Sequence, residues 1–177
     1  IVFVLFNTKI DTINIMGEQT HNTGKIVIVG RGGSGKDFLR KKFEDRGFKY
    51  CVSYTSRPIR EGEEDGKDYR FTSIEYFDNN FSDFYEIDKF NGWKYGTLIK
   101  DFNDSNLFIM TPRGVNNIKG EDRKKCFVIF IDPPREIIKE RLTQRKDADS
   151  ADRRIDADDK DFFEFSNYDM RISNSDF

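Results

Sequence analysis

A single histidine, His21, excludes any multi-histidine metal site, and nothing around it assigns it a chemical role. Cysteine is almost as scarce: Cys51 and Cys126 lie far apart, without C-x-x-C spacing, each beside an apolar run. They read as buried thiols in a reducing compartment, and the cytoplasm is the expected setting. No apolar run approaches the ~20 residues of a membrane-spanning helix, so no membrane partner is expected. The opening IVFVLF lacks a basic leader and a small-residue cleavage site, which makes it a poor signal peptide. Neither sign of charge dominates, with Lys plus Arg at 30 and Asp plus Glu at 32. That balance argues against a nucleic-acid coat.

What is present points to one domain: 177 residues suffice for a real core, and 18 Phe and 7 Tyr furnish it. Residues 1–23 are read as an N-terminal extension without fixed structure, and 24–177 as the domain. Either Met16 is the natural start, or Val2 to Phe6 adds an edge strand; both readings stay open.

The segment KIVIVGRGGSGKD, Lys25 to Asp37, carries the strongest chemistry. Ile26 to Val29 read as a buried strand that runs straight into Gly30, Gly32, Gly33, Ser34, Gly35 and Lys36, and a helix from Phe38 to Arg46 follows. Strand, glycine loop and helix in this order make a phosphate-binding P-loop, whose amides turn inward onto phosphate oxygens. The helix N-terminus adds partial positive charge, and Lys36 a mobile full one. The next position normally carries a Ser or Thr that ligates Mg²⁺. Here it is Asp37, a carboxylate able to bind Mg²⁺ but also a negative charge beside the phosphates, and it is the candidate metal residue.

Further along, Lys49 to Thr55 reads as a second strand, and YRFTS, FYEID and WKYGT as short strands of a small β-rich lobe. Leu107 to Met110 and Cys126 to Ile131 read as buried parallel strands, with a helical piece at Gly114 to Lys119 between them. Glu136 to Arg145 places Ile137, Ile138 and Leu142 on one helical face, and Met170 to Ser173 is a last strand. Lys146 to Asp161 is dense in charge and nearly free of apolar residues; it reads as a solvated lid helix. Strands alternating with helices predict a mostly parallel sheet covered on both faces.

A second cluster, Val52 to Phe71, places Arg57 and Arg60 three residues apart around Pro58, a spacing suited to gripping one phosphate. Ser53 and Tyr69 offer hydroxyls to the same anion, and Glu86, Tyr95 and Thr97 follow. Here the chain resembles the guanylate kinase family, which carries V-S-x-T-T-R-x-x-R-x-G-E-x-x-G-x-D-Y-x-F after its P-loop, then a Glu, then Y-G-T or Y-G-S. The match includes Val52, Ser53, Thr55, Arg57, Arg60, Gly62, Glu63, Gly66, Asp68, Tyr69, Phe71, Glu86, Tyr95, Gly96 and Thr97. It continues through Pro133, Pro134, Arg141, Arg145, Arg154 and Ile172 to Asn174.

The resemblance implies an α/β, three-layer P-loop fold with a mostly parallel core sheet (24–55 and 105–177), a small β-rich monophosphate-binding lobe (56–104) and a helical lid (about 143–162). It implies transfer of the γ-phosphoryl group of ATP to GMP or dGMP, with ATP and Mg²⁺ as cofactors, in a monomer or homodimer. Ser53, Arg57, Arg60, Tyr69 and Tyr95 are then the grip on the monophosphate, and Glu86 and Thr97 the guanine readers. Arg145 and Arg154 are lid arginines over the ATP phosphates, and Asn174 belongs to the adenine pocket. Lys36, Arg57, Arg145 and Arg154 form the catalytic set.

Three departures stand out. Asp37 replaces the P-loop hydroxyl. The family's acidic pair, D-x-D-x-x-G, becomes Ile109 and Thr111 when anchored on Gly114, so an acid of the magnesium environment and one that helps read guanine are both replaced. The family ordinarily continues with another helix beyond the Asn174 strand, whereas this sequence ends at Phe177. A hydroxyl at 111 can still accept from an amino group, though without charge, and Glu86 is retained, so guanine is the first choice of base. A deoxynucleoside monophosphate, as in a viral or phage-type member, stays open, as does another acceptor base. The reading from a different class is a non-catalytic module that holds phosphorylated peptides in the monophosphate site.

Overall fold

The computed structural model describes residues 24–90, 92–144 and 151–174, with the side chain of Ala151 set aside. The readings at Val2 to Phe6, Met16, His21 and Arg145 lie outside them.

Strand β1 (Lys25–Gly30) is buried from Ile26 onward because it is the inner strand of a parallel sheet and has no face toward water. Its neighbours are β6 (Leu107–Ile109) on one side and β7 (Cys126–Ile131) on the other, and β8 (Met170–Ile172) extends the sheet beyond β7. Period-two alternation sorts the side chains into two cores. Ile26, Ile28, Ile129 and Ile131 meet Leu39 and Phe43 of helix α1 (Lys36–Glu44). Val27, Val29, Val128 and Phe130 meet Val115, Phe162 and Phe165 on the opposite face. These are the expected three layers.

The lobe is a separate sheet in the order β3 (Arg70–Phe71), β2 (Tyr54–Thr55), β5 (Trp93–Leu98), β4 (Phe84–Phe90). Helix α2 (Ile74–Asn79) precedes β4 and is N-capped by Ser73. Helix α3 (Ile99–Asp104) follows β5. The β4–β5 hairpin pairs Glu86 with Thr97 and Asp88 with Tyr95. Gly96 is required there, since a Cβ would stand 2.8 Å from a Phe84 ring carbon and 2.9 Å from the Glu86 carbonyl oxygen.

Several boundaries differ from the expectations. The stretch read as one strand, Lys49 to Thr55, is divided: Tyr50 bridges Leu107 at the core sheet, while Tyr54 and Thr55 pair with the lobe. The chain changes sheets between them. Helix α1 begins at Lys36, two residues early, because the glycine loop delivers the chain directly into its first turn. The helical piece expected at Gly114 to Lys119 is two short helices, α4 (Pro112–Asn116) and α5 (Gly120–Arg123). Thr111 caps α4 by accepting from the Gly114 amide, and Pro112 suits its first turn, so it starts earlier.

Helix α6 (Arg135–Thr143) buries Ile138 and Leu142, while Ile137 is half-buried. The largest correction concerns α7 (Ala151–Phe162), which the charge density marked as solvated. Ile155 packs against Ile138 and Leu142, Phe162 joins the core beside Phe130, and Asp158 is buried between them. Ile155, Asp158 and Phe162 recur at helical spacing, so a narrow inward stripe runs through a charged helix.

Candidate active site

The carboxyl ends of the core strands, where open parallel sheets bind ligands, face the lobe. A single cleft between them is lined by Gly30, Gly32 and Lys36 from the loop and by Ile109, Met110 and Thr111 from the end of β6. The lobe contributes Ser53, Arg57, Arg60, Tyr69, Glu86 and Tyr95, and α7 contributes Arg154 and Asp158. Residues far apart in sequence thus line one space, with the glycine loop on one wall and the arginines on the other.

At the loop end, Gly35 adopts φ 104° and delivers the chain into α1. Ser34 is fully buried, with an Oγ that has no hydrogen-bond partner among the described residues. The Lys36 Nζ donates to the carbonyls of Gly30 and Arg31, both at 2.8 Å, so the loop holds its own lysine. The Gly32 amide donates to Asp158 Oδ2 at 2.7 Å. Burial raises the Asp158 carboxyl, while that amide, Lys36, Arg31 and Arg154 act in the opposite direction. A carboxylate from α7 therefore sits on an amide of the glycine loop. Arg141 reaches the carbonyls of Gly33 and Ser34 from α6, at 3.3 and 3.4 Å.

At the lobe end, Arg57 is buried and makes a bidentate pair with Glu63, at 2.9 and 2.8 Å. Its guanidinium lies 5.4 Å from the Tyr69 ring centre and 5.5 Å from that of Phe71. Burial alone would push the Glu63 carboxyl up; hydrogen bonds from Arg57 and from the Arg60 amide outweigh it and hold it below its ordinary value. Tyr69 stands edge-on to Tyr95, and burial pushes its phenol well above the usual range.

The third corner carries acids. Glu86 is 9% exposed, and burial raises its carboxyl to about 7; Asp88 adds to the rise and Thr97 opposes it. Thr97 is buried behind Glu86, not on the cleft wall. Thr111 Oγ1 donates to Asp88 Oδ2 at 2.5 Å and accepts from the Gly114 amide at 3.0 Å.

Other sequence candidates lie off the cleft. Gly33, Ser34 and Gly35 form the body of the loop. Asp37 is 69% exposed and leans toward Arg40, 3.6 Å away. Asn174 follows β8 with a buried Oδ1 that has no hydrogen-bond partner among the described residues; the preceding Ser173 lines a second depression with Arg31, Pro133, Pro134 and Ile138. Sequence reasoning missed Asp88 and Asp158. Asp88 was visible as the second acid on one strand face, two residues from Glu86, and Asp158 as the polar member of the Ile155–Phe162 stripe.

Comparison with known proteins agrees with this geometry. The family model described as guanylate kinase matches residues 22–177. The guanylate kinase of Chlorobium luteolum is 32% identical, over 76% of this chain and 74% of that protein. The human guanylate kinase is 34% identical, over 68% of this chain and 66% of that protein. The crystal structure of guanylate kinase from Anaplasma phagocytophilum superposes with a TM-score of 0.66 at 24% identity, covering 86% of this chain and 77% of that one, which shows a shared fold.

Proposed function

The chain belongs to the guanylate kinase family, and from that premise we propose that it moves the γ-phosphoryl group of ATP onto GMP or dGMP in the cleft described above. One observation carries the proposal: Lys36 and the glycine loop share a single cleft with Ser53, Arg57, Arg60, Tyr69 and Tyr95, and Glu86 closes its far corner. Phosphoryl transfer asks a protein chiefly to align donor and acceptor and to neutralise charge. The loop amides and Lys36 would hold the ATP phosphates. Arg57, Arg60, Tyr69 and Tyr95 would hold the acceptor phosphate, and Glu86 and Thr111 the base, with Thr97 supporting Glu86 from behind. Arg154, with Arg145, would bring lid charge to the transferring group, and a docked α7 excludes water. Asn174 would serve the adenine end, where its buried Oδ1 lacks a partner among the described residues.

Among the described residues no three His, Cys, Asp or Glu side chains stand together as a metal cage. An ion would therefore be carried in chiefly by the nucleotide phosphates, with Asp37, which lies off the cleft toward Arg40, as the candidate protein oxygen. Mg²⁺ so bound supplies charge neutralisation at the outer phosphates. We assign residues 24–55 and 105–177 to the core, save that Tyr54 and Thr55 pair with the lobe sheet, 56–104 to the monophosphate lobe and about 143–162 to the lid. Two buried, unpaired cysteines support a cytoplasmic setting. No helix among the described residues is long and apolar enough to cross a membrane.

The test is a coupled assay of ADP formation with Mg·ATP against a panel of nucleoside monophosphates. GMP and dGMP should support turnover and the others should not. Folded protein that binds phosphopeptide and ignores ATP in calorimetry would instead be the scaffold module.

A further inference from the structure

Position 111, where the family frame carries an acid, holds a threonine whose hydroxyl has an unusual set of partners. Thr111 Oγ1 lies 2.5 Å from Asp88 Oδ2 and 3.0 Å from the Gly114 amide nitrogen. The amide can only donate and the carboxylate accepts, so the hydroxyl proton is committed to Asp88 and one lone pair to Gly114. What remains is a single lone pair on a residue that lines the cleft. That oxygen can accept a hydrogen bond and cannot give one.

Asp88 is well placed to hold this arrangement. It is 6% exposed, sits on the rigid β4 strand two residues beyond Glu86, and has its other oxygen fixed by the Lys89 amide at 2.7 Å. It is not among the residues that line the cleft. Its charge acts through the threonine, because a hydroxyl that donates to a carboxylate becomes a stronger acceptor.

We infer that Asp88 is a positioning residue for base recognition, locking the Thr111 hydroxyl as an obligate acceptor beside Glu86 so that the cleft selects a purine presenting N–H donors at that edge. Guanine offers its ring N1–H and its 2-amino group there. Adenine offers a bare ring nitrogen and a C–H, and a lone pair facing a lone pair is repelled. The acid replaced at 111 is thus restored at one remove, from a different strand. This rests on the guanylate kinase reading of the cleft.

The experiment compares GMP with AMP by equilibrium binding to the full chain, in the parent protein and in Asp88→Ala, Asp88→Asn, Thr111→Val and the Asp88→Ala/Thr111→Val pair. Asp88→Ala frees the hydroxyl to rotate and donate, so the preference for GMP over AMP should drop by ~10-fold. Asp88→Asn offers one acceptor oxygen to the two donors, Thr111 and the Lys89 amide, and should keep only part of the preference. Thr111→Val should lose as much as Asp88→Ala, and the double variant no more than either, because the two act as one device. A general loosening of the lobe weakens both nucleotides alike and leaves the ratio unmoved. An unchanged ratio in Asp88→Ala overturns the inference and leaves the enzyme reading standing. If that variant does not fold, an unchanged ratio in Thr111→Val does the same. Parent protein that binds neither nucleotide overturns the enzyme reading and this inference with it.

Discussion

Replacing Glu86 by Gln should make the unliganded protein more stable at pH 8 while weakening its hold on GMP. Burial raises this carboxyl from 4.5 to about 7. At about 1.4 kcal/mol per pKa unit, the ionised side chain costs the folded protein roughly 3 kcal/mol relative to the unfolded chain. Below pH 4.5 the acid is protonated in both states and costs nothing. Between 4.5 and 7 the unfolded chain has released the proton and the folded one has kept it, so stability falls as pH rises; above 7 the full cost stands. Glutamine keeps the shape and removes the titration. Urea denaturation should therefore show the variant gaining on the parent by up to ~3 kcal/mol between pH 4.5 and 8. Binding runs the other way. The base donors need an ionised acceptor, so the parent's affinity for GMP should fall by up to about tenfold per pH unit below 7, and the variant's should be weak throughout. The GMP phosphate titrates at roughly 6, so the ratio of the two proteins' affinities isolates the carboxyl. A stability difference that stays flat across this range, or an affinity ratio that does not shrink toward acid pH, would refute the argument.

Lys36→Ala and Arg57→Ala should each lower turnover with ATP and GMP by at least ~100-fold, read in the coupled assay; activity that survives both contradicts the assigned roles. Asp158→Ala should tighten ATP binding by up to ~10-fold in calorimetry, since it frees the Gly32 amide from a charge-assisted hydrogen bond. Unchanged or weaker binding would count against a carboxylate on the phosphate loop. Gly96→Ala should destabilise the protein by ~1–3 kcal/mol in urea denaturation and weaken GMP binding, because its Cβ would displace Phe84 and the Glu86 backbone.

The apolar runs at Lys25–Gly30 and Cys126–Ile131 gave away the core sheet, because strands buried on both faces leave a nearly unbroken hydrophobic record. The P-loop was legible for a similar reason: close backbone approach leaves glycines behind. The lobe showed its strands but not its membership. Tyr54 and Thr55 are only two residues long as a strand, and nothing local says which sheet they join. Helix α7 misled because a surface helix needs only a few inward positions, and Ile155 and Phe162 drown among charges. The Asp88–Thr111 contact joins residues on different elements, and no spacing rule spans that distance. What the sequence did offer was the pairing of two acids, Glu86 and Asp88, on one face of a strand that otherwise buries apolar groups.

Two groups that line the cleft or its loop already carry acids of the protein itself, Arg57 paired with Glu63 and the Gly32 amide with Asp158. In the proposed reading, nucleotide entry would be a swap at the loop, in which a phosphate takes the Gly32 amide from Asp158. A swap leaves less net charge to neutralise than an arrival would, so affinity should respond only shallowly to salt. Because Asp158 is carried by α7, filling of the loop would then be tied to the posture of that helix.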